Sequence, residues 1–270
     1  TGKTAIRNAL KHYGAEHYVR AKQRGYVLYV EGGTDLDILR ALAERIDHPV
    51  RHVWDERVNV FYVQDNYPEA TAESELQRVE GGYGITPVKH YFALRELVPG
   101  LRGLAILDND GRGRADGDAE GLRTRYWRRY EAENYFVSPE TLLAYTKEHY
   151  RDLPLFGSFE TESNEVLDKL VLESLFEKNT VEFETWKSMN SASARLLWVA
   201  KTERVKMSDF AEEFFRRLAE RLGHTMLLRK GELHHLIRNT QTVDIPEEVS
   251  QKLDFLKDLF DQANRDDATF

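Results

Sequence analysis

Glu31 and the pair Asp108/Asp110 stand where chemistry is done, because each follows an apolar run with the character of a buried strand. Tyr26-Val27-Leu28-Tyr29-Val30 leads into Glu31-Gly32-Gly33-Thr34-Asp35, and Leu104-Ala105-Ile106-Leu107 leads into Asp108-Asn109-Asp110-Gly111. In an open parallel sheet, ligands and reacting groups collect outside the carboxyl ends of the strands. Carboxylates gathered there repel one another unless a hard divalent cation lies between them. Oxygen-rich sets of this kind suit Mg²⁺ or Mn²⁺. The chemistry to expect is metal-assisted handling of phosphate.

Each of these residues also has a plainer reading. Asp35 comes four residues after Glu31, a position open both to a metal ligand and to a helix cap. Gly32 and Gly33 permit positive φ and close approach of a phosphate to the backbone, and they equally suit a plain turn. Asp-Asn-Asp-Gly is good turn chemistry and resembles the start of a calcium loop. That loop needs an acid at its fifth position and Glu at its twelfth. Counted from Asp108, those places hold Arg112 and Ala119, so the calcium reading fails.

Further along, Glu131 and Glu133 lie two apart in a predicted strand near Tyr130–Val137, so both side chains share one face. They are candidate ligands of a second metal, or acids neutralised by Arg128 and Arg129. Arg112, Arg114, Arg123, Arg125, Arg128 and Arg129 crowd the segment after the acidic pair. The interleaved Asp116, Asp118 and Glu120 allow a self-compensating loop. Beside a phosphate-cutting centre, Arg112, Arg114, Arg128 and Arg129 become candidate grips on a DNA backbone. Tyr126 and Trp127 read as core. Adjacent His234 and His235 on a helix do not face one metal site.

The elements that must position these residues alternate. After helical residues 3–24, a strand at 26–30 turns into a helix over Asp35–Ile46, with Leu36, Leu39, Leu42 and Ile46 on its buried face. A strand at Val58–Val63, a Gly81-Gly82-Tyr83-Gly84 loop and a helix through His90 to Leu97 precede the strand that ends at Asp108. This order implies a right-handed parallel α/β sheet. The character changes at Ser138-Pro139, a helix cap followed by proline at the first position. From there to about Leu222 only helix signals occur, and Gly223 suits a helix stop. Asp244-Ile245-Pro246-Glu247 opens a terminal helix with Val249, Leu253, Leu256 and Phe260 on one face. The expected division is an α/β core over 1–138, a helical insertion over 139–222, and a return to the core over 223–270, beginning near Lys230.

Composition sets the bounds. At 270 residues, 41% hydrophobic and 31% charged, the chain can bury a substantial core. No apolar run approaches the roughly 20 residues of a membrane span. With no cysteine, disulfides, zinc–thiolate sites and thiol catalysis are excluded, and the cytoplasm is the expected compartment. The net charge of −8 argues mildly against constitutive nucleic-acid binding, although affinity follows local charge. Thr1-Gly2-Lys3-Thr4 lacks an initiator Met and suggests a processed chain or a fragment. It mimics the tail of a phosphate-binding loop, but Glu31 follows too soon for the nucleotide-binding core such a loop needs.

Glu31-Gly32 followed by a strand-end Asp108-Asn109-Asp110 resembles the Toprim domain shared by topoisomerases, bacterial primases and several nucleases. The added acid Asp35 makes the pattern similar to the nuclease half of the OLD (overcoming lysogenization defect) family, in which an ATPase precedes a Toprim endonuclease. Arg129-Tyr130-Glu131-Ala132-Glu133-Asn134-Tyr135 and Arg229-Lys230-Gly231-Glu232-Leu233 are similar to that family as well. The resemblance spans roughly positions 26–240. It implies a Toprim-like parallel sheet flanked by helices with an additional all-helical subdomain. It implies metal-dependent nicking and cleavage of DNA through two Mg²⁺ or Mn²⁺ ions, with phage defence or DNA processing as the setting and an ATPase encoded upstream of this chain. Under it, Glu31, Asp35, Asp108, Asp110 and the Glu131/Glu133 pair, Glu133 foremost, hold the ions. Glu31 and Lys230 are catalytic, the lysine stabilising the transition state. The alternatives are a primase- or topoisomerase-like Toprim and a non-catalytic Toprim that binds nucleic acid.

Overall fold

The computed structural model describes residues 16–54, 58–63, 78–79, 82–83, 86–150 and 156–267. The Gly2-Lys3-Thr4 motif, the apolar positions between Ala5 and Tyr13, and Gly81 and Gly84 lie outside the described residues. The chain forms two compact units: residues 1–108, 114–127 and 247–270 make the first, and residues 109–113 and 128–246 make the second.

The first unit is an α/β sheet. A helix over residues 16–24 (α1) leads to β1 (Tyr26–Val30), α2 (Gly33–Arg45) and β2 (Val60–Tyr62). The short hairpin β3/β4 (Arg78–Val79, Gly82–Tyr83) and α3 (Pro87–Leu97) follow. Then come β5 (Arg102–Leu107), β6 (Gly117–Ala119) and β7 (Leu122–Tyr126), and much later the terminal helix, here α9 (Glu247–Asp267). The main sheet has the order β2-β1-β5-β7-β6. Every pairing is parallel except β6 with β7.

Every residue of β1 is buried, which is why it reads as an unbroken apolar run: a central parallel strand is covered on both faces. Side chains alternate between those faces. Val27 and Tyr29 join Phe61, Tyr91, Leu94, Ala105 and Leu107 in one cluster. The ring of Tyr26 instead lies 5.6 Å from that of Phe260 in α9, and α9 packs against α2 and β5. Tyr91 fixes a tight corner. Its hydroxyl donates to the Leu101 carbonyl at 2.7 Å, and a Cβ on Gly103 would come within 2.8 Å of its ring. Only glycine fits there.

One departure from the sequence reading concerns the sheet. The polar Arg/Asp/Gly stretch contributes strands: β6 and β7 form its antiparallel edge. No apolar alternation marks them, because charge is neutralised on site. Arg125 donates to Asp118 at 2.5 Å and its guanidinium lies 4.1 Å over the Phe255 ring of α9. Arg123 bonds Asp258 at 3.3 Å. Tyr126 and Trp127 contribute to the core as expected.

The second unit is helical: α4 (Pro139–His149), α5 (Phe156–Ser174), α6 (Thr180–Ser188), α7 (Ser191–Thr202) and α8 (Met207–Leu222), then a 3₁₀ stretch over Lys230–Asn239. Ser138 caps α4 by accepting from the Thr141 N–H at 3.2 Å. Gly223 ends α8 in the left-handed region at φ 65°. Buried Phe210, Phe214, Phe215 and Leu218 line one face of α8, which packs against α5. The units divide the chain at other positions than the change in composition suggests. The second unit takes residues 109–113 and then runs from Arg128 rather than 139, and it keeps Lys230: after that the chain re-enters the first unit only with α9. The predicted strand at 130–137 is a 3₁₀ turn over Ala132–Tyr135.

His90 is fully buried in the first unit and bonded through both ring nitrogens, to the Tyr29 hydroxyl at 2.9 Å and to His17 Nδ1 at 3.2 Å. Burial, reinforced by His17, lowers its pKa to about 3. The unfolded chain therefore binds a proton here below about pH 6.5 that the folded chain refuses. Stability from this group is complete above that pH and is lost as pH falls toward 3. We expect roughly 3 kcal/mol less stability at pH 4.5 than at pH 7.5 from His90 alone. His90→Gln should flatten that part of a urea-denaturation pH profile. Equal slopes for wild type and variant would show that His90 does not carry this pH dependence.

Candidate functional site

In the first unit, sheet register fixes the acids. β1 and β5 are adjacent and parallel, with Tyr29 opposite Ala105. Both strands therefore leave the sheet at one edge, where β1 runs into Glu31 and β5 into Asp108. Glu31 is buried at 6% exposure and Asp108 is half-buried. Asp35 sits in the first turn of α2, and its Oδ2 accepts from the Gly32 N–H at 2.7 Å. Asp35 is therefore not the N-cap residue: Gly32 holds that place, and Asp35, the third residue of the helix, bonds back to it through one carboxylate oxygen. Positive φ at Gly32 and Gly33 is not realised: Gly32 is extended, at φ −141°, and Gly33 opens α2. A Cβ on either would meet nothing within 4 Å, so the space before α2 is open. Arg114 Nη1 donates to the Asp108 carbonyl at 3.4 Å, and its guanidinium lies 5.3 Å over Tyr126. This places a cation at the strand end.

The second unit opens immediately after Asp108. Asn109 Oδ1 accepts from the Gly113 N–H at 2.8 Å, and the N–H groups of Asn109 and Asp110 both donate to the Tyr130 carbonyl, at 3.1 and 2.9 Å. Asp110 holds φ 52° and Gly111 φ 70°, a left-handed pair that Asp and Gly tolerate best. The turn chemistry legible in Asp-Asn-Asp-Gly is therefore present. Arg112 faces Asp110 at 4.0 Å.

Residues 129–135 are clasped to the connection between α7 and α8. Tyr130 N–H donates to the Glu203 carbonyl at 2.8 Å. The buried Asn134 amide donates to the carbonyls of Thr202 and Val205 at 2.6 and 3.0 Å and accepts from Glu131 N–H at 3.1 Å. Glu131 Oε1 accepts from Ser208 N–H at 2.5 Å, at the start of α8, where the helix dipole favours a negative charge. Burial raises the Glu131 pKa, opposed by the Ser208 bond and by the charges of Lys206 and Lys230. Glu131 therefore serves the architecture of this unit. Because residues 132–135 form a 3₁₀ turn, Glu131 and Glu133 do not share a strand face. Glu133 is buried at 7% exposure.

Lys230 forms an ion pair with Asp209 in the first turn of α8, both partners being about half exposed. Lys206, partly desolvated, is nonetheless held above the ordinary lysine range by the carboxylates of Asp209, Glu131 and Asp110. Arg129 is committed to the clasp: it donates to the Asn134 carbonyl at 2.5 Å and lies 4.6 Å over the Tyr135 ring. Arg128 is exposed. His234 and His235 are ring neighbours, 4.1 Å apart. Sequence reasoning missed Lys206, Asp209 and the linking role of Asn134. Lys206 and Asp209 carry no pattern that separates them from solvated charges, and the role of Asn134 depends on carbonyls some 70 residues away in the chain.

Among the described residues, no group of three or more His, Asp or Glu side chains is arranged to hold a metal ion. Mg²⁺ is usually bound by one or two carboxylates, several waters and the oxygens of a substrate phosphate, not by an all-protein cage. Glu31 and Asp108 offer the hard oxygen donors such an ion takes. Among the described residues these two strand-end acids are not part of a closed protein cage. No helix is long and apolar enough to cross a membrane among the described residues. No family model matches the chain, and no curated protein or solved structure does so.

The clasp is testable. Asn134→Ala leaves the buried Glu131 N–H and the part-buried Val205 carbonyl without this partner, and it strips the Thr202 carbonyl of one of two donors, the Val205 N–H remaining, at about 1–3 kcal/mol for each unsatisfied group before relaxation. The expected loss is about 3 kcal/mol in chemical denaturation. Asn134→Asp, nearly the same shape, should be no better, because it sets a carboxylate oxygen against those two carbonyls. A loss below about 0.5 kcal/mol for both variants would remove Asn134 from this role.

Proposed function

We propose that this chain is a metal-dependent DNA endonuclease, the Toprim-like nuclease portion of an OLD-type ATPase–nuclease protein. One observation carries the reading: Glu31 and Asp108 leave two adjacent parallel strands at the same edge of the sheet, with Asp35 in the turn that follows. Parallel sheets place their chemistry at that edge. Carboxylates there serve phosphate esters through a hard cation.

In the first unit, Glu31 and Asp108 would hold Mg²⁺ or Mn²⁺, with Asp35 within the same turn. When bound, the ion supplies a Lewis acid and lowers the pKa of a coordinated water. The chain's own groups do the rest. Burial of Glu31 limits its motion, so its oxygens stay where the strand ends. Arg114, braced by Tyr126 and the Asp108 carbonyl, meets the negative backbone. In the second unit, Asp110 and Glu133 are the acids that would serve a second ion, Glu131 being engaged at α8. Lys230 is free to exchange Asp209 for a phosphate oxygen, because an exposed ion pair is worth only about 0–1 kcal/mol. Its ammonium then offsets the charge that grows on phosphorus oxygens in the transition state.

The test is supercoiled plasmid incubated with the purified chain and Mg²⁺, Mn²⁺ or chelator. Nicking should need the ion. Asp108→Ala should lower it by at least about a hundredfold, more than is usual for losing an outer-shell partner of a metal. Its melting temperature should stay close to wild type. Nicking in chelator, or undiminished nicking by Asp108→Ala, would overturn the assignment.

A further inference from the structure

Within the second unit, four backbone N–H groups of the loop 109–113 have their acceptors fixed. Those of Asn109 and Asp110 donate to the Tyr130 carbonyl at 3.1 and 2.9 Å, and that of Arg112 donates to the Asn109 carbonyl at 3.0 Å. The fourth, from Gly113, donates to a side chain, Asn109 Oδ1, at 2.8 Å. Tyr130 is anchored in turn, because its own N–H donates to the Glu203 carbonyl at 2.8 Å. Its ring lies against the loop: a Cβ added to Gly111 would come 3.5 Å from it. Inside this frame Asp110 holds φ 52°, a left-handed conformation unfavourable for a residue with a side chain. Such a conformation persists only where the surroundings over-determine it, and it collects at active sites and ligand clamps. Of these backbone donors, only Gly113 ends on a side chain. Asn109, buried at 7% exposure, is therefore the part of the frame that a substitution can remove.

We propose that Asn109 is a positioning residue for the second ion: by closing the 109–113 loop through Gly113, it holds the Asp110 carboxylate where a hard divalent cation can take it. The inference rests on the metal-dependent reading and adds to it a residue that acts through Asp110. Ligating carboxylates depend on such outer hydrogen bonds, whose loss typically costs about 10–100-fold in metal affinity or activity. Without the Gly113 bond, Asp110 can relax to negative φ, and its side chain then leaves its present direction. Arg112 approaches Asp110 at 4.0 Å, but a half-exposed pair of this length contributes little and yields to an ion.

The test reads the ion directly. The full chain is titrated with Mn²⁺ in the absence of DNA, the free ion being followed by electron paramagnetic resonance, and plasmid nicking is measured over the same Mn²⁺ range. Asn109→Ala should weaken one of the two bound ions by about tenfold or more and leave the other in place. Its half-maximal nicking should need correspondingly more Mn²⁺, while the rate at saturating Mn²⁺ stays within about threefold of wild type. Asn109→Asp keeps an oxygen acceptor for the Gly113 N–H and should bind both ions as tightly as wild type. Gly111→Ala strains the same loop at φ 70° without removing the Asn109 acceptor, and it should weaken the same ion. Asn109→Ala that binds both ions like wild type, or Asn109→Asp that is as weak as Asn109→Ala, would overturn the proposal. If Asn109→Ala fails to fold, Gly111→Ala decides, and wild-type binding by that variant overturns the proposal equally. The two readings fail separately. Asn109-dependent Mn²⁺ binding without plasmid nicking keeps the positioning role and removes the nuclease, and metal-dependent nicking indifferent to Asn109 does the reverse.

Discussion

The parallel pairing of β1 with β5 is the constraint on which the candidate chemistry depends. A parallel pair needs a crossover between its strands, and here the chain from α2 to α3 supplies it. With both strands pointing the same way and β1 covered on both faces, polar groups can follow only where the strands end. Glu31 and Asp108 are those groups. A slip of one residue in this register would turn Val27 and Tyr29 out of their cluster and Tyr26 away from Phe260. Core packing therefore fixes the position of the acids to within a residue.

The second unit obeys a different rule. Its polar residues are placed by hydrogen bonds to backbone groups of other segments. Asn134 answers the carbonyls at the end of α7, Glu131 answers an N–H at the start of α8, and the Tyr130 carbonyl answers two N–H groups of the Asp-Asn-Asp-Gly turn. Three chain segments are joined this way. Side chains held by such bonds are well fixed in direction. Lys206 and Lys230, at the margin of this network, keep the freedom of exposed cations.

Much of the first unit could be read from the chain. The apolar runs at 26–30 and 104–107, the acids directly after them and the face of α9 all follow from hydrophobic period and strand length. The β6/β7 edge could not be read, because Arg123 and Arg125 are stabilised by Asp118, Asp258 and Phe255, partners that a local pattern does not contain. Glu131 and Glu133 were misplaced on one strand face for a related reason. Their spacing of two is real, but the 3₁₀ turn at 132–135 is imposed by the Asn134 bonds to distant carbonyls, which override the extended preference of Tyr, Phe and Val nearby. Lys230 was legible only through resemblance, and Lys206 not at all.

The discontinuity of the first unit bears on how the chain must fold. Its sheet is complete once Tyr126 has been made, yet the helix that packs on Tyr26, α2 and β5 is α9, and all of residues 128–246 are synthesised in between. At about 5–20 residues per second, that interval lasts several seconds or more. Throughout it, that face of the parallel sheet has α2 but lacks α9, while the helical unit can close on itself from local contacts. Non-local closure of this kind is slow, and it exposes strand surface to other chains. The last helix is thus the step that commits the sheet, and a chain truncated before Leu253 would carry its aggregation hazard permanently.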